Sequence, residues 1–325
     1  MKKKPGFLIL LFLSAFFPLA CSYSNAPYGP GYGTPSHPPS TPVANPTYAV
    51  PTPPYKTSWG TAGGPNALAF GMGTTLFVAE GDGSVAMVEV FDSSNPSAPL
   101  SQWTSYGSQP FSWPGGIAAN TVSGNVYVSD NANNAVYEFT SAGATVASWT
   151  GYGGQPFNAP EGLGLDAAGN IYLADTGNNE IDEFSPSGSP LHQWNAGGGV
   201  NFLQPSAVSL DASGNVYVAD AGNERVLKFS SGGVTFLNSW TTVNYADVFG
   251  IAVDGSGNVY AADYGDGTPS NGNGLMEEYN PAGKVMAVWG SAAGTQAFGP
   301  DNVALSGADI FAADWNNNLI QVFGP

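Results

Sequence analysis

Six acidic residues return at a near-constant interval: Glu80, Asp130, Asp175, Asp220, Asp263 and Asp314, separated by 50, 45, 45, 43 and 51 positions. Carboxylates that converge on one substrate can serve as general acids and bases or as oxygen ligands for a cation. These do not converge, because each closes an apolar strand signal just before a turn rich in Gly and Asn, once per repeating unit. An aspartate so placed accepts hydrogen bonds from the backbone N–H groups of the following turn. A structural role is therefore expected for the five aspartates. Asp166, Asp211 and Asp254 open D-x-x-G-N turns and are read the same way.

Other chemistry is sparse. The segment DYGDGTPSNGNG (263–274) is the longest departure from the repeat, and Asp263 and Asp266 are its weak candidates for calcium. Their spacing does not match an EF-hand loop, so a solvated loop is expected and no cofactor is assigned. His37 and His192 are the two histidines, neither with a second histidine at motif spacing, and Cys21 is the one cysteine. That excludes zinc sites of the usual His/Cys type and any internal disulfide. No G-x-S-x-G elbow, P-loop or strand-placed G-x-G-x-x-G occurs.

The elements that position these residues follow from the repetition. GNVYVSDNANNAVYEF (124–139), GNIYLADTGNNEIDEF (169–184), GNVYVADAGNERVLKF (214–229) and ADIFAADWNNNLIQVF (308–323) are copies of one phrase. TTLFVAEGDGSVAMVEVF (74–91) is a worn copy, and GNVYAADYGDG (257–267) resumes after an insertion as LMEEY. A fixed period of this size marks a solenoid, propeller or array. Each unit carries four strand signals: a first strand such as GLGLD (162–166), usually preceded by proline, then NIYLAD, EIDEF and a strand ending in tryptophan such as LHQW (191–194). In the second strand Ile171 and Leu173 share one face and Tyr172 and Ala174 the other. Both faces are apolar and both must be buried, which predicts all-β sheets stacked face to face as propeller blades.

The phrase P-x-G-hydrophobic…D-x-x-G-N-V-Y-V-A-D-x-G-N-N, best matched at 160–184 and 205–229, resembles the NHL-repeat family. The resemblance covers 56–325 and implies a six-bladed β-propeller of four-stranded antiparallel blades. It says little about function, since the family includes scaffolds, sensor domains, RNA binders and a few lyases. Amidating lyases and streptogramin-lyase-like propellers have a similar fold but lean on histidines that are missing here. The count of six blades also stands on the residues. Six strand-ending tryptophans occur (Trp59, Trp103, Trp149, Trp194, Trp240 and Trp289), the first before any repeat core, while the last core ends at Phe323 with no outer strand after it. Residues 56–59 are therefore expected to complete the last blade near Ile320–Phe323 and close the ring.

The N-terminus has another task. Lys2, Lys3 and Lys4 precede an apolar run, Phe7–Leu19, which is a signal-peptide layout too short to span a bilayer. PLAC (18–21) resembles a bacterial lipobox, and Cys21 is the expected lipidation site. Residues 1–20 are read as the signal, 21–55 as a tether and 56–325 as the propeller. Ten prolines among Ser, Thr, Gly and Tyr in 22–55 favour an extended, unpacked tether. At about 3.1 Å per residue it reaches up to roughly 100 Å. Removing the signal leaves Lys56, Arg225, Lys228 and Lys284 against 24 acids. Four bases do not form a phosphate-binding patch, so nucleic acid is excluded as a partner.

Three functions compete: a noncatalytic binding or scaffold propeller, lipid-anchored and extracytoplasmic in a bacterial envelope; a cation-dependent lyase or lactonase acting at the axis; and a purely structural envelope role. The first is favoured, with the chain a monomer and its partner an envelope protein or glycan. The resemblance implies that first strands line the central channel. The residues after the leading proline then ring its mouth: Asn66, Gly115, Glu161, Ser206, Phe249 and Asp301. Glu161 and Asp301 lie in blades three and six, across the ring, where water or a cationic ligand group would bridge them. Among the aromatics of the connecting turns, Phe111, Phe157, Phe202 and Phe298 recur once per blade and are expected to plug the junctions. Tyr106, Trp113, Tyr152 and Tyr245 recur less regularly and are the ligand-contact candidates.

Overall fold

The computed structural model describes residues 53–233, 235–243, 247–264, 274–290 and 298–325. Cys21, Tyr245 and Asp266 lie outside the described residues. The inner strands of the six blades are Pro65–Phe70, Pro114–Ala119, Pro160–Leu165, Pro205–Leu210, Val248–Val253 and Pro300–Ser306. Each leads antiparallel into a second strand, a third and an outer strand, giving six four-stranded sheets. Each inner strand contacts those of the two flanking blades, and the sixth contacts the first, so the ring is closed.

Closure runs through the N-terminal strand. Tyr55–Gly60 pairs antiparallel with Leu319–Phe323, with Trp59 opposite Ile320 and Ser58 opposite Gln321. The last blade is thus built from both ends of the chain, and the tryptophan count that predicted this is met. Beyond the strand, Gly324 N–H donates to the Pro54 carbonyl, and Lys56 Nζ sits 2.5 Å from Asp309 Oδ1.

The period-2 pattern divides the core as expected. Ile171 and Leu173 join Ala118, Tyr127 and Val136 of blade two. Tyr172 and Ala174 face the other way, against Val208, Val216 and Val218 of blade four. A comparable apolar cluster fills every junction around the ring. Phe111, Phe157, Phe202 and Phe298 are all buried within these clusters, as junction plugs. The outer tryptophans add a contact that their positions at strand ends do not announce. Trp103, Trp149, Trp194 and Trp240 each lie over a glycine in the outer hairpin of the next blade: Gly143, Gly188, Gly233 and Gly283. All four glycines have positive φ, so the turn and the indole both require a residue without Cβ.

Register fixes which groups share an end of the ring. Pro160 pairs with Asp175, Asp175 with Glu180, and Ile181 with Trp194. The starts of inner strands, the turns between second and third strands and the hairpins between blades therefore share one face. The D-x-x-G-N turns lie on the opposite face.

Candidate axial binding site

Five of the six strand-end acids, all but Asp263, prove to be ties for the loop that enters their own blade. Asp130 accepts the backbone N–H groups of Ser112 and Trp113, at 2.9 and 3.0 Å. Asp175 accepts from Asn158, Asp220 from Leu203, Asp314 from Gly299 and Glu80 from Gly63. A structural role was expected, but the main backbone partners lie upstream of the leading proline rather than in the following turn. The following turn contributes chiefly a side chain: Asn133, Asn178, Asn223 and Asn317 each donate an amide N–H to the acid three residues before. Another asparagine in two of these turns, held in the left-handed region, crosses to the next blade. Asn134 Oδ1 accepts from Ala159 N–H and Asn179 Oδ1 from Gln204 N–H, both at 2.7 Å. Asp166, Asp211 and Asp254 cap their own turns, as expected.

These ties hold the entering loops so that the first residues of the inner strands stand around the axis. Asn66 is buried and its Nδ2 donates to the Pro114 carbonyl of blade two at 2.8 Å. That bond fixes the amide orientation and leaves Oδ1 buried without a partner. Ser206 donates its hydroxyl to the Val248 carbonyl of blade five at 2.6 Å. Glu161 is half-buried and accepts from Asn131 Nδ2 at 3.3 Å. Asp301 is only 7% exposed, and its Oδ1 also lacks a partner. Burial holds the Asp301 carboxyl well above the usual carboxylate range, and the Glu161 charge raises it further. Blades three and six are opposite each other in the ring, so this coupling acts across the channel.

Half-buried rings accompany these acceptors. Phe249, next on the ring, meets Tyr264 edge to face at 5.7 Å and 87°. Tyr264 packs over Gly299 of blade six and donates its hydroxyl to Asn316 Oδ1 at 2.9 Å. Trp113 is half-buried where its loop enters blade two, its backbone close beside Gly81. Trp315 Nε1 donates to the Gly81 carbonyl at 3.3 Å. The structure thus gathers Asn66, Glu161, Ser206, Asp301 and Trp113 on one face. It adds Tyr264, Trp315 and Asn131, which the sequence pattern did not single out. The only signal for Tyr264 and Trp315 was an aromatic directly after the strand-end acid. Tyr106 and Tyr152 are placed in the blade junctions: Tyr106 stacks on Tyr137 at 4.9 Å, and Tyr152 meets Phe184 edge to face at 5.3 Å.

A further set of carboxyls is buried inside blades one, three and five. Glu80 is beside Glu89, Asp175 near Asp182, and Asp263 hydrogen-bonded to Glu277. Burial, reinforced by Glu89, pushes Glu80 up to about 9. Burial, eased by the Gln193 amide, leaves Asp182 at about 7. Asp263, a weak calcium candidate, is fully buried and turned to Glu277 within its blade. Among the described residues no three His, Cys, Asp or Glu side chains are grouped to hold a metal. His192 is on the outer strand of blade three, its ring stacked on Trp194 at 5.2 Å.

A closed ring of six four-stranded blades, with an acceptor- and aromatic-lined mouth on one face, defines a six-bladed β-propeller. The NHL repeat matches residues 202–229, within blade four and the loop that enters it. No curated protein matches the chain in sequence. Among solved structures, virginiamycin B lyase from Staphylococcus aureus is similar in fold at TM-score 0.56 and 15% identity, over 83% of this chain and 88% of that one. A gluconolactonase from Xanthomonas campestris is similar at TM-score 0.63 and 14% identity, over 82% and 88%. A variant of the staphylococcal lyase in which a histidine is replaced by alanine is described as catalytically inactive.

Proposed function

We propose that this propeller is a noncatalytic binding or scaffold module of a bacterial envelope, that its axial mouth takes the partner, and that Cys21 carries a lipid anchor. The observation that supports the reading most is the mouth itself. Ties in five blades hold the entering loops so that buried acceptors and half-buried rings gather there, and among the described residues this surface has recognition groups but no nucleophile–base pair. The leader and PLAC (18–21) support the anchor, and the proline-rich tether would hold the mouth clear of the membrane.

A second reading, a cation-dependent lyase or lactonase, is favoured by the fold likeness to a lyase and a gluconolactonase. It would have to work without a histidine near the axis among the described residues, since His192 is peripheral. The two readings part in one experiment. Full-length protein is used to capture components from envelope extract, in parallel with Trp113→Ala and the Glu161→Gln/Asp301→Asn double variant. Capture that falls in the variants, with melting temperature unchanged, supports the binding reading. Undiminished capture moves the site off the mouth, and turnover of a lactone or cyclic peptide by purified protein would establish the enzyme. Cys21→Ser should move the protein out of the membrane fraction or leave unprocessed precursor, and lipid labelling that persists in it would refute the anchor.

A further inference from the structure

Resting on that binding reading, we infer that the mouth takes an organic cation, an alkylammonium or guanidinium group, held between Asp301 and Glu161 with its apolar flank on the Phe249 and Tyr264 rings. Hydrogen-bond inventory at the mouth points to the chemistry of the ligand. The donors described on the ring are committed. Asn66 Nδ2 donates to Pro114, Ser206 Oγ to Val248, Asn131 Nδ2 to Glu161, and the Tyr264 hydroxyl to Asn316. What remains is acceptors: Asn66 Oδ1 and Asp301 Oδ1, both on side chains more than nine-tenths buried and both without a partner. Leaving buried acceptors unmet is costly, so a ligand that fits must bring N–H donors. Positive charge suits the same place, because a cation between the opposed Glu161 and Asp301 carboxyls offsets the burial and repulsion that disfavour the Asp301 charge.

Among the described residues no base supplies that charge. Lys56, Arg225 and Lys228 are paired elsewhere, with Asp309, Asp220 and Asp211. Lys284 lies between the third and outer strands of blade five, on the opposite face. The rings separate an organic cation from a metal ion. A bare metal needs several oxygen ligands at short range, whereas an ammonium or guanidinium with carbon substituents gains from aromatic faces as well as from a carboxylate. Neighbouring blades five, six and one supply Phe249 and Tyr264, Asp301 and Asn66 in turn, and Glu161 closes the set from opposite.

The test titrates full-length protein by calorimetry with Nα-acetyl-lysine amide, Nα-acetyl-arginine amide and tetramethylammonium chloride. Nα-acetyl-norleucine amide serves as the neutral isostere and calcium chloride as the metal alone. The inference expects saturable binding of at least one organic cation and none of the neutral isostere. Glu161→Gln and Asp301→Asn should each weaken binding about tenfold, on the scale of a lost charged hydrogen bond. Glu161 is half-buried whereas Asp301 is buried, so Glu161→Gln is expected to be the better tolerated of the two and keeps the test decisive if the Asp301 variant does not fold. Binding of the amino-acid amides but not tetramethylammonium points to side chains of a basic peptide, and the reverse order to a small quaternary amine. Equal binding of the neutral isostere, calcium binding with the same residue dependence, or no cation binding overturns the inference. An envelope component lost in Trp113→Ala but retained by both acid variants would overturn it while leaving the binding reading intact. Cation binding without any mouth-dependent capture would do the opposite.

Discussion

Gly143→Ala should destabilise the propeller by more than its backbone conformation explains. Gly143 has φ +83°, and a Cβ there would lie 2.5 Å from Trp103 Nε1 and 2.8 Å from Cδ1. Gly83 has the same φ, +83°, but nothing within 4 Å of its would-be Cβ. A left-handed conformation costs a Cβ-bearing residue about 1–2 kcal/mol, and this term is common to both. Overpacking against a buried indole adds about 1–3 kcal/mol, and only Gly143→Ala carries it. For a domain of this size each kcal/mol moves the melting temperature by about 2–4 °C. Urea titrations of full-length Gly143→Ala and Gly83→Ala should therefore differ by about 1–3 kcal/mol at matched slope. In a Trp103→Ala background the Gly143→Ala penalty should shrink to that of Gly83→Ala, as a double-mutant cycle requires of a contact. Equal losses in the two single variants, or no change in the Trp103→Ala background, would show that indole-over-glycine packing does not join the blades.

Two further outcomes follow from the same geometry. Deleting residues 55–60 removes the outer strand of the last blade and the Trp59 contacts with Phe91 and Phe311; melting should fall by many degrees, and an unchanged melting curve would refute closure. Glu80→Gln should raise stability at pH 8 and leave it near wild type at pH 4. Burial raises the folded-state carboxyl to about 9, so its contribution is full below about 4.5, the ordinary range, and is lost as pH climbs toward 9. A stability–pH slope between 5 and 9 that is unaltered in the variant would contradict this.

Much of the fold was legible because it rests on short-range patterns. Alternation in IYLAD assigned Ile171 and Leu173 to one junction and Tyr172 and Ala174 to the other. An unpaired count of tryptophans placed Trp59 opposite Ile320. The recurrence of Phe157 and its counterparts marked them as plugs. The site was legible only in part. Asn66, Glu161, Ser206 and Asp301 came from one position in the repeat, after the leading residue. Tyr264 and Trp315 sit in turns, where direction depends on how one blade is rotated against the next, and period alone carries no such information. The same limit hid the loop ties: the backbone N–H groups bound by Asp175 and Asp220 belong to residues 17 positions upstream. The strand-end acids advertised chemistry by spacing and hold loops instead. The chemical groups that remain unmet, Asn66 Oδ1 and Asp301 Oδ1, do not stand out in the repeat.

The claim that the axial mouth is the binding face can be tested by location. A photo-crosslinking residue is placed at Trp113 in one full-length protein and at Ala168, in a turn of the opposite face, in another. Both are irradiated in envelope extract after matching melting temperatures. A discrete cross-linked species is expected at Trp113, suppressed by Glu161→Gln/Asp301→Asn in the same chain, and none at Ala168. A species that forms at Ala168 and not at Trp113 would contradict it.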